Sequence, residues 1–127
     1  MHKCSYRVYY EDTDAGQVVY YANYLKFAER ARTEMLRERG VCQLELRQQE
    51  GILFVVKEVQ MQLHKPARLD DMLTILTTVK KLGRASILLN QDIHCMDLLL
   101  AQIEVVVVSI NQHFKPTSIP ISVKERL

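Results

Sequence analysis

The sequence predicts an α+β domain in which one long helix lies against an antiparallel sheet. Three observations predict it. Ala22 to Arg39 is free of Gly and Pro and carries an apolar stripe; the later segments alternate apolar and polar residues; and only four glycines and three prolines occur in 127 residues. Elements must therefore be long and the connections between them few.

The first element, "SYRVYYE", is rich in Tyr and Val and reads as a strand. In the helix, Tyr24, Ala28, Ala31 and Met35 follow a 3, 4 spacing, and Leu25, Phe27 and Leu36 widen that face. Charged Lys26, Glu29, Arg30, Arg37 and Glu38 fill much of the remainder, and Gly40 is placed to stop it. Its length corresponds to about five turns. In "KEVQMQLHK", Val59, Met61 and Leu63 alternate with polar residues, the pattern of a strand with one buried face. "DMLTILTTVKKL" and "RASILLNQDIHC" flank Gly83, a turn between antiparallel strands, and Ala85, Ile87, Leu89 and Ile93 share one face of the second. "LLLAQIEVVVVSINQ" closes the series, with Val105 to Val108 too β-branched to suit a helix. One helix is then available to cover one face of a long sheet in a single domain spanning residues 1–127.

Composition excludes several classes of function. A formal net charge of +2 gives no electrostatic case for nucleic acid or an anionic membrane. The longest apolar run is interrupted by Gln102 and Glu104 and falls short of a membrane span. The N-terminal "MHKCSYRVYYED" lacks the apolar core of a secretory signal. Cys4, Cys42 and Cys95 are odd in number and form no C-x-x-C pair, which reads as a reduced, cytoplasmic protein. His2, His64, His94 and His113 are scattered without ligand spacing, so no metal and no cofactor is expected. His64 and His94 occupy polar strand positions and read as surface residues.

The chemistry concentrates in "EDTDAGQVVYYANYL", Glu11 to Leu25, where two acids and a glycine run straight into the helix. A helix starting near Tyr20 to Asn23 leaves its first backbone N–H groups without intrahelical partners, at the positive end of the dipole. Such donors bind a carbonyl oxygen as it becomes an oxyanion. Asp14 lies close enough in the chain to face the same carbonyl, where a carboxylate attacks an activated acyl group or takes a proton from water. Thioesters suit this arrangement, because their carbonyl is weakly resonance-stabilised and a thiolate leaves readily. On its own an Asp before a helix is most often a turn or cap residue, and Asp12 is read that way. D-x-D lacks the glycine offset and bidentate Glu of a calcium loop.

The stretch "YYEDTDAGQVVYYANYLKFAERAR" resembles the active-site signature of the 4-hydroxybenzoyl-CoA thioesterase family of hotdog-fold proteins, and most of all that of its Tol-Pal-associated acyl-CoA thioesterase subgroup. The strand order is also similar to that of the hotdog fold, a long antiparallel sheet wrapped around one central helix. The resemblance implies an acyl-CoA thioesterase with Asp14 as catalytic carboxylate and the backbone N–H of Tyr21 as carbonyl-polarising donor. Gly16 belongs to the same motif, and Tyr10 either lines the site or packs. The subgroup usually reads "VVYHANYL"; here Tyr21 replaces the His, as in related aromatic-CoA thioesterases. Lys65, Arg68, Lys80, Lys81 and Arg84 gather positive charge between residues 64 and 84, against Asp70 and Asp71. Arg84, followed by Ser86, resembles the basic turn that holds nucleotide phosphates in the family, although a charged hairpin tip is as often merely solvated.

The implied partners are an acyl-CoA or an acyl carrier protein thioester, together with further copies of the chain. The family pairs sheets edge to edge in a dimer, with active sites between subunits, and pairs of dimers form tetramers. "AQIEVVVVSI" would be a hazard as an open edge, which fits such pairing. Two other readings compete: a non-catalytic acyl-thioester or acyl-carrier binding module, and a partner protein of a cell-envelope or lipid-synthesis complex.

Overall fold

The computed structural model describes residues 1–127. Strands β1 (His2–Arg7), β2 (Leu53–Leu63), β3 (Met72–Leu82), β4 (Ser86–Cys95) and β5 (Leu98–Ile110) form one antiparallel sheet in the order β1-β3-β4-β5-β2. Helix α1 (Asn23–Glu38) covers one face of that sheet; α2 (Gln43–Glu50) and a short α3 (Ile121–Lys124) close its far end. This is the α+β, hotdog arrangement.

Helix α1 lies within one residue of the expected Ala22 to Arg39 at each end. It stops at Gly40, whose φ of 82° lies in the left-handed region that favours glycine. Its apolar stripe enters the core in two halves. Tyr24, Phe27, Ala28 and Ala31 pack with Val8, Val19, Leu73, Ile75, Ile93, Leu100 and Ile103. Met35 and Leu36 pack with Ile87, Leu89, Val105 and Val107, and with Leu46 of α2 and Val123 of α3. A buried polar chain crosses the same interface. Gln91 Nε2–H groups donate to the Ala28 carbonyl at 2.8 Å and to Thr77 Oγ1 at 3.0 Å. Both partners are internal, so the buried carboxamide donors are satisfied without water.

Strands β3 and β4 form the hairpin expected at Gly83, closed by a 2.8 Å bond from the Gly83 N–H to the Ser86 carbonyl. Three expectations are corrected. β1 ends at Arg7, and the chain turns through a 3-10 turn at Tyr10–Asp12 instead of extending through "VYYE". β5 is not an edge: β4 and β2 flank it on both sides, which explains its apolar run. The edges are β1 and β2, and on β2 Val59 and Leu63 are 42% and 51% exposed instead of forming a buried face. A bulge at Lys57 shifts the β2 register between Val56 and Glu58 and leaves Val55 and Val56 exposed as well.

Phe27 is 2% exposed at the centre of the first core half. Phe27→Ala is expected to destabilise the fold by about 3–5 kcal/mol, from lost transfer energy and the cavity left behind. Urea unfolding followed by circular dichroism measures it.

Candidate active site

The turn carrying Asp14 is fastened at both ends. Asp12 Oδ2 accepts the Tyr9 N–H at 2.8 Å, the turn-stabilising role read for it, and its carbonyl accepts from the Tyr20 N–H (3.0 Å) and Asn23 Nδ2 (2.9 Å). Thr13 bridges Val19, and the Asp14 N–H donates to the Val18 carbonyl at 3.0 Å. The result is a tight loop from Asp14 to Val18 in which Gln17 takes a φ of 64°. Gly16 has a specific place in it. Its N–H donates to Asp14 Oδ1 at 2.8 Å, and a Cβ there would lie 3.1 Å from that oxygen, closer than a side chain normally sits. Asp14 Oδ2 accepts no hydrogen bond within the chain, and no cation pairs with the carboxylate. One oxygen is held and the other is free.

The opposite wall comes from the loop after β2. Between Ile93 and His94 the β4–β5 register shifts, leaving Leu100 as the extra residue of a bulge. The Leu100 carbonyl accepts from the His64 N–H (2.8 Å) and the Lys65 N–H (3.1 Å). Two residues on, the buried Ala67 receives the Val19 N–H on its carbonyl at 2.8 Å and donates its own N–H to the Tyr24 hydroxyl at 3.1 Å. Burial raises the pKa of Tyr24, against a lowering contribution from its bond to Ala67. The phenol therefore stays neutral and serves as a fixed acceptor.

These elements enclose an open hollow of ≈ 390 Å³ lined by Asp14, Val18, Tyr21, Leu63, His64 and Lys65, among others. Tyr21 sits at the entrance to α1. The Asn23 N–H turns back to the Tyr20 carbonyl at 2.8 Å, while the N–H groups of Tyr21 and Ala22 make no hydrogen bond in the chain. A free carboxylate oxygen and unpaired donors at a helix N-terminus thus share one hollow. Tyr10 lies on the other side of Asp14, 82% exposed, in a second hollow with Arg68 and Leu69. The fold separates the remaining expected residues from Asp14. Lys80, the extra residue of a β3 bulge, belongs with Lys81, Arg84 and Ser86 to the β3–β4 hairpin end of the sheet. Ser86 is seven residues along β4 from Ile93, roughly 23 Å at strand rise, and Ile93 is the residue that packs near the Asp14 end. Arg84 Nη1 donates to Ser118 Oγ.

The five basic residues therefore divide between two ends, Lys65 and Arg68 beside Asp14 and the other three on the hairpin. Sequence reasoning missed His64 as a lining residue. It is exposed, as expected, but it faces the hollow's rim with Nε2 3.0 Å from Gln102 Oε1; the turn signal "HKP" after a strand was the clue to its position. No group of three or more His, Cys, Asp or Glu is placed to hold a metal. Burial pushes the Cys95 thiol up, with Asp71 adding to the shift, which leaves it a poor nucleophile.

Fold and hollow together define a hotdog domain with an acid beside a helix entrance. The family model for the thioesterase superfamily matches residues 16–102. The acyl-CoA thioester hydrolase YbgC of Escherichia coli O6:H1 is 45% identical over 119 residues, covering 92% of this chain and 88% of that protein. The acyl-CoA thioesterase YbgC of Haemophilus influenzae is 43% identical over 119 residues, covering 93% and 88%. Among solved structures, a probable thioesterase from Bartonella henselae superposes with a TM-score of 0.90 at 37% identity, covering 94% of this chain and 98% of that one. The chain belongs to the thioesterase superfamily and is a thioester hydrolase.

Tyr24→Phe removes the acceptor of a buried N–H. It is expected to cost about 1–3 kcal/mol and to speed amide hydrogen exchange at Ala67 more than in the β3–β4 hairpin. Equal exchange in both places would show that Tyr24 does not hold the wall.

Proposed function

We propose that the chain hydrolyses an acyl-CoA thioester to the free acid and coenzyme A, with Asp14 and the Tyr21 N–H as the reacting groups. The observation that carries this reading is the pairing, on one hollow, of a carboxylate with one free oxygen and a backbone N–H with no partner in the chain. The thioester carbonyl oxygen takes its place at the Tyr21 N–H, where the helix dipole stabilises the charge that develops on it. Asp14 either attacks the carbonyl carbon itself or removes a proton from the water that does. Gly16 holds Oδ1 so that Oδ2 is the working oxygen. The names of the YbgC relatives support coenzyme A as the thiol, and a carrier protein's pantetheine presents the same arm.

The phosphates of such a substrate call for cations, and a second copy of the chain is the natural source. If two β2 edges pair antiparallel about their middle, the Leu63 end of one copy meets the Leu53 end of the other. In the second copy, Val55 pairs with Val108 and Val108 with Ser86. Ser86, with Lys80, Lys81 and Arg84 nearby, then lies two strand spacings from the new seam, about 10 Å. The apolar residues exposed on β2 support this dimer, and a tetramer is a pair of them. No helix is long and apolar enough to cross a membrane; a cytoplasmic location is part of the proposal, supported by three unpaired cysteines. The Tol-Pal association belongs to it too, on the resemblance alone.

Thiol release from short-chain, long-chain and aromatic acyl-CoAs tests the chemistry. Asp14→Asn is expected to lower kcat by about 10²–10⁴ without loss of fold. Tyr21→Pro deletes an N–H that lies ahead of the helix and makes no hydrogen bond in the chain, and is expected to cost about 10²–10³ in kcat, while Tyr21→Phe retains the donor and the rate. A folded Asp14→Asn as active as wild type would sink the assignment. For the assembly, Val59→Lys on the β2 edge should lower the mass seen by sedimentation and the activity together; unchanged mass would remove the edge-paired dimer.

A further inference from the structure

The hollow at Asp14 holds a second group able to move a proton near neutral pH. Four successive residues, Leu63 to Pro66, line one wall of it, whereas a regular strand turns alternate side chains to opposite faces. The Leu100 bulge accounts for this. Its carbonyl takes the N–H groups of both His64 and Lys65, at 2.8 and 3.1 Å, so the chain leaves the sheet there and carries His64 to the rim.

The imidazole is held by one nitrogen. Nε2 lies 3.0 Å from Gln102 Oε1, and a carboxamide oxygen only accepts, so Nε2 carries the proton of the neutral ring. Gln102 is half-buried on β5, between Gln62 of β2 and Asp92 of β4. Nδ1 then keeps its lone pair and makes no hydrogen bond in the chain. No other group on this wall or facing it, Asp14 apart, offers a comparable base. The ammonium of a lysine such as Lys65 has no lone pair, and the phenols of Tyr21 and Tyr24 are weak bases, the second already accepting the Ala67 N–H.

A carboxylate that attacks a thioester leaves a second task undone: a proton must be taken from the water that breaks the resulting anhydride. An uncharged imidazole suits that task. We propose that His64 Nδ1 is the proton acceptor of the water step. Asp14 Oδ2 attacks the thioester carbon, the C–S bond breaks, and the thiolate leaves with its electron pair. Water then attacks the acyl carbon of the mixed anhydride, its proton passes to His64 Nδ1, and the bond from that carbon to Asp14 breaks. Free acid and the Asp14 carboxylate result, and the imidazolium returns its proton to solvent at the open rim. This role presupposes the hydrolysis proposed at Asp14 and leaves that carboxylate one task, attack.

Rapid-quench measurement of thiol release tests it, with the acyl-CoA that wild type hydrolyses fastest and with hydroxylamine added or omitted. Folded His64→Gln is expected to release a burst of about one thiol per site and then to turn over about 10²-fold more slowly than wild type, or slower still. Hydroxylamine attacks an anhydride without a base, so it should restore turnover to His64→Gln, with the hydroxamate as product, and leave Asp14→Asn idle. The proposal is overturned if His64→Gln turns over as wild type does, if it loses the burst along with turnover, or if hydroxylamine brings no rescue. Asp14→Asn as active as wild type would remove the hydrolytic reading itself, and the role of His64 with it.

Discussion

The contact between the alanine face of α1 and the inner face of the sheet is the constraint from which the rest follows. Ala28 and Ala31 are fully buried, and their small side chains let the helix axis lie close to β1 and β3. With Phe27 locked between Ile75, Ile93 and Ile103, the helix can neither slide nor rotate without opening a void. Gln91 adds direction to that packing, because a carboxamide that bonds to Ala28 and Thr77 is satisfied in one position only. The place where the helix begins is therefore decided in the core, several residues away from the site it serves.

Around that fixed entrance, the site is assembled from departures from regular structure. The Leu100 bulge frees a carbonyl from the strand ladder, and that carbonyl anchors His64 and Lys65. The end of β1 hands over to a 3-10 turn that delivers Asp12 to the Tyr9 N–H, and through it positions Asp14. Val19 and Ala67 then join the two walls through a single backbone bond. Each device redirects the chain at small cost, because the freed polar groups find partners at once. Rigid elements underneath and short irregular segments on top are the usual way to hold reacting groups while leaving them open to a substrate.

Much of this was legible in the sequence. Helix α1, the β3–β4 hairpin and β5 follow from periodicity and turn chemistry, since their apolar stripes are buried by the chain itself. Asp14 stood out because its motif joins an acid, a glycine and a helix entrance. What escaped was set by tertiary context. In α2 only Leu46 is buried, so "QLELRQQE" carries no stripe to read. β2 looks half-buried by alternation, yet nothing in one chain covers it, and the bulge at Lys57 breaks the alternation partway. The basic residues are close in sequence but lie at opposite ends of long strands, a separation visible only once the strand directions are known.

The bulge at Lys57 also bears on which strands can dock beside β2. A bulge bends its strand and sharpens the local twist, so the exposed edge is not the flat template on which unrelated extended chains stack. A strand that pairs along its whole length must accommodate that kink. Lys57 sets a charge in the middle of an otherwise valine-rich border. The irregularity thus works as a key cut into the edge, turning away the indiscriminate partners that lead to aggregates.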